Sequence, residues 1–505
     1  MRLAGSLFLL CALACGIGCG GDAPAGSCVP GSSNPCLCGP QLAGARFCDA
    51  RGYFSECICG TSPVGGSGGT SGSGATSGAG GSGGSVGPGT VIAEPQDEAS
   101  YLFDQSQVRT YELRIAQSDL DAINADPVAE VYVPATLIFE GVEYGPVGVR
   151  YKGSVGAFYS CVQYGGLNPS GPKTCRKLSM KVSFNWMDPE GRFYGLKKLN
   201  FHAMNSDTSQ LRDRLGYWLF RQMGVPAPRS VHARLVINGK VEGLFAFVEQ
   251  VDGRFTRSRF TEGGTGNLYK EVWPMHASEQ TYITALETNE TPAPNATKML
   301  AFANALSAAS DASLPMVLDA QMNRDIAMRY AAVDRTIAND DGAFHFYCNL
   351  PQAQGNNPGT SGNHNYYWYE EAASNQLWVI PWDLDLSFLG ETTLTRINTA
   401  WNATGLTCGC SFFSQQDPPA CDRVIRGWSL MPDNYNAARR EFLNGPFSGA
   451  SVDAQLNAWS AQLAPVVAEV AADPAQISVN TWQSSIGSLR NAINSLRSTA
   501  EAQTP

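Results

Sequence analysis

Histidine is scarce in this chain of 505 residues: there are five, and no His-Glu-x-x-His pair. That removes the familiar zinc-hydrolase signature. Runs dense in Lys and Arg are missing too, and the formal net charge is −10, so a nucleic-acid partner finds no electrostatic footprint. A serine nucleophile has little support, because "GWSLM" (427–431) lacks the second glycine of a nucleophile elbow. His202 and His232 lie in strand-like runs, where packing or hydrogen bonding is the expected role. No internal repeat is visible, and the apolar stretch from Leu3 to Ala14 is too short to span a bilayer.

That stretch instead reads as an export signal. Arg2, the apolar run and small residues before a cysteine resemble a bacterial lipoprotein signal over residues 1–19. Cys19 of "GIGC" is the expected lipidated residue, Cys15 of "ALAC" is its rival, and a simple cleaved signal is the alternative. Cysteine usage agrees with export. Of fifteen cysteines, six (Cys28, Cys36, Cys38, Cys48, Cys57, Cys59) crowd residues 20–60, which reads as a small disulfide module. With no histidine there and Cys-x-Cys spacing, zinc is disfavoured. Residues 61–93 are nearly all Gly, Ser, Thr and Ala, a flexible tether that cannot bury enough apolar surface to order itself.

The main domain runs over 94–505. Its first half alternates apolar and polar residues in "RTYELRI", "EVYVPATLIFEGVEYGPVGVRYKG" and "KLSMKVSFN", which read as antiparallel strands. "SVHARLVINGKVEGLFAFVEQVDG" is a hairpin turning at Asn238-Gly239. "DTSQLRDRLGYWLFRQMG" is a helix with Asp207, Thr208 or Ser209 as cap, an apolar stripe of Leu211, Leu215, Trp218 and Leu219, and Gly224 as stop. From about residue 295 the pattern turns helical, so the fold class is α+β with two lobes.

Chemistry gathers at "LWVIPWDLDLSFLG" (377–390), where Pro381 ends a β-favouring run and Trp382 delivers Asp383 and Asp385 into apolar surroundings. Side chains two apart on a strand share a face, and like charges that close need a cation between them. Magnesium, which takes carboxylate oxygens and substrate phosphates, suits such a pair; a structural calcium or a helix cap is the bland alternative. Upstream, "YAAVDRTIANDDGAFHF" leaves a helix at Asn339, Asp340 and Asp341, and "GNHNYYWYEE" offers Asn363, His364 and Asn365 before an aromatic strand. Acid, Asn, acid in that order is the set a phosphotransferase needs.

The stretches "RYKG", "KLSMKVSF", "DTSQLRDRLGYWLFRQMGVPAPR", "ARLVINGKVEGLFAFVEQVD", "GNLYKE", "HNYYWY" and "IPWDLDLSF" together resemble the spore-coat CotH kinase-like family, over residues 100 to 400. The resemblance implies an atypical protein-kinase-like fold with a sheet-rich N-lobe and a helical C-lobe. It also implies ATP and magnesium (Mg2+) as cofactors and phosphorylation of Ser or Thr in secreted or surface proteins. Carried over by position, the base is Asp341, with Asp340 as runner-up, and Asn365, Asp383 and the helper Asp385 hold the metal. In the nucleotide-binding half, Lys152 and Lys181 are candidates for the α/β-phosphates, Lys270 for a phosphate contact and Arg212 for a bridging contact. "FAFVEQVD" (245–252) is the expected adenine hinge, with Glu249 its polar residue or else a surface ion-pair partner.

Departures from ordinary kinases stand beside this. There is no G-x-G-x-x-G loop and no His-Arg-Asp before Asp341, and residues 342–362 are extra length. Cys348 there is expected to pair with Cys408, Cys410 or Cys421, and Cys161 with Cys175 would stiffen an insertion after "RYKGSVG". His345 and His364 are lesser candidates beside the site. The expected protein is thus an exported, lipid-anchored kinase acting on protein substrates at the cell envelope. Its rivals are a surface adhesin or coat-assembly protein that keeps the fold without the chemistry, and a nucleotidyl transferase.

Overall fold

The computed structural model describes three short strands before residue 60 and then residues 91–505, except 167, 261–262, 289–293, 349–360, 390–400, 402–407 and 409–415. The expected signal with Cys15 and Cys19, most of the cysteine module and nearly all of the tether lie outside the described residues. The chain divides into Met1–Gly72 and Ser73–Pro505. In the first unit Ser33–Gly39 (β1), Leu42–Phe47 (β2) and Ile58–Cys59 (β3) pair antiparallel in the order β1-β2-β3.

In the second unit the alternating runs close on themselves. The strands are Arg109–Ile115 (β4), Val133–Phe139 (β5) and Val142–Tyr151 (β6), followed by a small hairpin of Val162–Tyr164 (β7) and Ser170–Lys173 (β8). Met180–Ser183 (β9), Lys198–His202 (β10), Ser230–Ile237 (β11) and Lys240–Val248 (β12) complete them. The order β10-β12-β11-β4-β5-β6-β9 forms a closed barrel. The expectation of an all-antiparallel arrangement is corrected at one seam, where β4 runs parallel to β11. Period-two alternation fills the barrel: Tyr111, Leu137, Val149, Met180, Phe201, Leu235 and Phe247 are among its buried residues. The β11–β12 turn falls at Asn238 and Gly239, both with positive φ (50° and 74°), as a tight hairpin requires.

Strand β12 separates two cores. Phe245 and Phe247 point into the barrel, whereas Leu244, Ala246 and Val248 join a second, larger core. That second core also takes the helix Arg212–Gln222, the helix Arg324–Thr336 and the long helices Gly449–Val470 and Val479–Ala502. It is not purely helical. Leu268–Lys270 (β13), Leu286–Thr288 (β14), Tyr366–Glu371 (β17) and Gln376–Pro381 (β18) make a sheet in the order β14-β13-β17-β18. Three short strands, Phe346–Cys348 (β15), Ser361–Gly362 (β16) and Gln416–Asp417 (β19), pair beside it. The architecture is α+β.

Cys161 and Cys175 are bonded across the β7–β8 hairpin. Cys408 and Cys421 are bonded to each other, which removes both as partners for Cys348. No helix among the described residues is long and apolar enough to cross a membrane.

Candidate active site

The strand pair β17–β18 delivers the acids. Asn365 precedes β17, and Trp382 donates its backbone N–H to the Asn365 carbonyl at 3.0 Å, so the two chain ends leave the sheet side by side. Asn365 and Asp383 both adopt the left-handed region (φ 62° and 51°), which for non-glycine residues is tolerated best by Asn and Asp. The helix Arg212–Gln222 locks this turn. Its N-cap position is Leu211, not the expected Asp207, Thr208 or Ser209, but Asp207 still accepts from the first helical N–H, that of Arg212, at 2.8 Å. Gly216 lies so close to Leu384 that an added Cβ would meet its side chain at 2.8 Å. From one face of that helix the Tyr217 hydroxyl accepts from the Asp383 N–H at 2.9 Å, and Asp213 Oδ1 accepts from the Leu384 N–H at 3.0 Å.

A second loop carries Asp340 and Asp341. It is tied to the first: the Phe388 N–H donates to the Ile337 carbonyl at 2.8 Å, and the Ser387 hydroxyl donates to Asn339 Oδ1 at 3.4 Å. Asn339 in turn donates to the buried Asp334 at 2.9 Å. Asp341 is held by three side chains. Asn365 donates to Oδ2 at 2.8 Å, Tyr347 donates its hydroxyl to Oδ1, and His364 Nε2 lies 2.7 Å from Oδ1. Burial alone would raise this carboxyl, but His364 and Tyr347 pull it below the ordinary value. Burial likewise opposes charge on His364, and the Asp341 carboxylate overcomes it and holds the imidazole above its usual value. Asp340 faces His345 instead, with Nδ1 3.4 Å from its carboxylate.

The remaining acids crowd one another. Burial, then the neighbouring Asp383, Asp213, Asp341 and Asp207, push Asp385 well above the ordinary carboxylate value. Burial raises Asp383 as well, and takes Asp213 to about 6. Such a set of oxygen donors fits a hard divalent cation. His202, Asp213 and Asp383 place potential ligand atoms within 4.8 Å of one another.

Opposite the acids the barrel presents amines. Lys152, just beyond β6, lies with its Nζ 3.0 Å from His202 Nε2, and burial depresses its pKa against the pull of Asp383. Lys181 on β9 sits across from Arg150 on β6. Burial, then Lys152, Arg150, Lys198 and Lys270, drive its amine down to about 7. No carboxylate among the described residues lies within ion-pair distance of the Lys181 ammonium. Lys270 ends β13, in the sheet that bears Asn365. Arg212 places its Nη1 3.4 Å from the Asp385 carbonyl and 3.3 Å from that of Ser206.

Among the sequence-derived candidates, Asp341, Asn365, Asp383, Asp385, Lys152, Lys181, Lys270 and Arg212 therefore fall in one region. Glu249 does not join them. It is fully buried and accepts from Arg229 at 2.6 Å, from Arg254 at 3.0 Å and from Arg259. Asp213 and Tyr217 were not singled out from sequence, although their i, i+4 spacing in "RDRLGYW" puts both on one helix face.

Comparison with known proteins gives the family. The family model described as "CotH kinase protein" matches residues 149–499. The chain belongs to the CotH kinase family. Family membership suggests a kinase-like domain that uses nucleotide and metal. A stretch of 74 residues is 38% identical to an inner spore coat protein H-like protein of Bacillus subtilis (strain 168), covering 14% of this chain and 23% of that protein. Another of 156 residues is 24% identical to inner spore coat protein H of the same organism, covering 31% and 38%. The matched regions thus span well under half of either curated relative's length.

Proposed function

We propose that this chain is an exported, two-lobed, kinase-like enzyme that transfers the γ-phosphoryl group of ATP to a Ser or Thr hydroxyl of an exported or surface protein. One observation carries the reading: Asp383, Asp213, Asp341 and Asp207 all add to the burial that pushes Asp385 up, near a Lys181 that burial and Lys152, Arg150, Lys198 and Lys270 push down. Crowding of that kind in both signs is relieved by a ligand that brings a cation and a polyanion together.

In this reading Asp383 and Asp385 hold magnesium, joined by the Asn365 amide oxygen. When bound, the ion neutralises charge on the phosphate oxygens. Lys152, Lys181 and Lys270 bind the phosphates as ammonium groups. Asp341, held anionic and oriented by His364, Tyr347 and Asn365, accepts the proton of the acceptor hydroxyl. The hydroxyl oxygen bonds to the γ-phosphorus while the β–γ bridging P–O bond breaks and ADP leaves. Positioning and charge stabilisation supply most of the rate.

The test uses γ-labelled ATP and Mg2+ with the wild-type chain beside Asp383→Ala and Asp341→Asn. Label on protein in the wild type, lowered at least about a hundredfold in either variant, is the expected outcome. Binding of ATP without transfer would sink the enzymatic reading. A second reading, a surface protein with a structural metal, draws on the same buried acids and on the proximity of His202, Asp213 and Asp383. Stabilisation by Ca2+ alone, with no response to ATP, would select it.

A further inference from the structure

Lys152 and Asp213 are not in direct contact; His202 stands between them. Its Nε2 lies 3.0 Å from the Lys152 ammonium and its Nδ1 lies 3.2 Å from Asp213 Oδ2. The other oxygen of Asp213 accepts from the Leu384 N–H at 3.0 Å. His202 and Asp213 are both buried, and the indole of Trp382 meets the His202 ring edge-on at 5.7 Å. The chain of bonds therefore links β6, β10, the helix Arg212–Gln222 and the backbone of the Asp383 turn.

Donor and acceptor chemistry fixes the imidazole in this chain. An ammonium has only donors, so Nε2 must accept, and the single ring proton sits on Nδ1 and is donated to Asp213. A doubly protonated ring would set two cationic donors against each other. Both nitrogens are then consumed, which leaves His202 without a lone pair for a metal in spite of its distance from Asp383.

We infer that His202 is a positioning residue, a neutral spacer that holds the Lys152 ammonium beside the Trp382–Asp383 turn and keeps it from pairing directly with Asp213. A direct Lys–Asp contact would neutralise the lysine. An interposed imidazole fixes the ammonium while leaving its charge available to a phosphate. The positioning claim about phosphate rests on the kinase reading; the bonding pattern of His202 does not.

Nitrogen-15 NMR of the imidazoles, on the whole chain at pH 7.5 without nucleotide, reads the pattern directly. The expected result is one neutral tautomer for His202, protonated at Nδ1, unchanged when Mg2+ is added. A proton on Nε2, or a change of tautomer on adding Mg2+, overturns the inference. Function is read with two variants. A Gln side chain offers a donating NH2 group and an accepting C=O, in place of the neutral ring's N–H and lone pair, whereas Leu offers neither donor nor acceptor. His202→Leu is expected to raise KM for ATP about tenfold or more with a smaller change in kcat, and His202→Gln to recover most of that loss. Equal losses in the two variants overturn the positioning role. If the wild type transfers no label, the kinase reading fails and the NMR result still decides the spacer.

Discussion

Two buried charge clusters flank the barrel, and they have opposite characters. Around Glu249, at the end of β12, opposite charges answer one another: Arg229, Arg254 and Arg259 converge on Glu249, and Arg229 and Arg254 also reach Asp97. Despite burial, which would raise it, the Glu249 carboxyl is pulled far below its ordinary value by those guanidinium groups. Around Asp383 and Lys181 the shifts run the other way: burial raises Asp383 and Asp385 and lowers Lys181, and like-charged neighbours add to the shifts on Asp385 and Lys181. The first cluster is complete without a ligand. The second is a standing electrostatic penalty that the proposed cation and nucleotide would relieve, and the direction of the Asp383, Asp385 and Lys181 shifts sets it apart from the first.

The comparison breaks most sharply at Glu249. Replacing it by Gln leaves the fully buried Arg259 without its carboxylate and Arg229 and Arg254 with Asp97 alone, and such uncompensated burial costs about 3–5 kcal/mol. Urea unfolding of Glu249→Gln should show that loss, while ATP affinity in the folded fraction stays put. A loss under about 1 kcal/mol would mean the cluster is wet and weak like an ordinary surface pair.

Lys181→Met should do the opposite. Its amine is already pushed to about 7 by burial and by Lys152, Arg150, Lys198 and Lys270, so removing it relieves repulsion. The ligand-free variant is expected to melt no lower than the wild type, while ATP binding weakens about tenfold or more. A destabilised variant with normal ATP affinity would place Lys181 among the structural charges instead.

How much of this the sequence revealed depends on the range of the interactions. The β11–β12 hairpin and the helix Arg212–Gln222 were legible because Asn238-Gly239, Asp207 and Gly224 act locally. Barrel closure and the parallel β4–β11 seam were not, since pairing of distant strands leaves no local mark. Asp383 announced itself as an acid after Pro381 in an apolar run. Asp213 was hidden inside a helix whose apolar stripe drew the eye, and His202 read as a packing or hydrogen-bonding residue with nothing local to name Lys152 and Asp213 as its partners. Glu249 resembled a hinge residue because its three arginines come from positions 229, 254 and 259, on either side of it in the chain.

The smallest expected effect separates the clusters by pH. Burial raises the folded value of Asp213 to about 6, and burial with the neighbouring acids raises Asp385 well above the ordinary carboxylate value. Between the ordinary carboxylate value, about 4, and those raised values the native state binds more protons than the unfolded chain. Stability from this cluster therefore falls as pH rises through that window. Glu249, with its folded value depressed, contributes stability that is present above its unfolded value and is lost as pH falls toward the folded one. Because Mg2+ favours the ionised acids, its stabilising effect should be nearly nil at about pH 4 and grow steadily past pH 6. Melting curves across that range, with and without Mg2+, measure it, and Asp385→Asn should flatten the rise while Glu249→Gln leaves it intact. A magnesium shift of constant size from acid to neutral pH would mean that the crowded carboxyls are not where the ion binds.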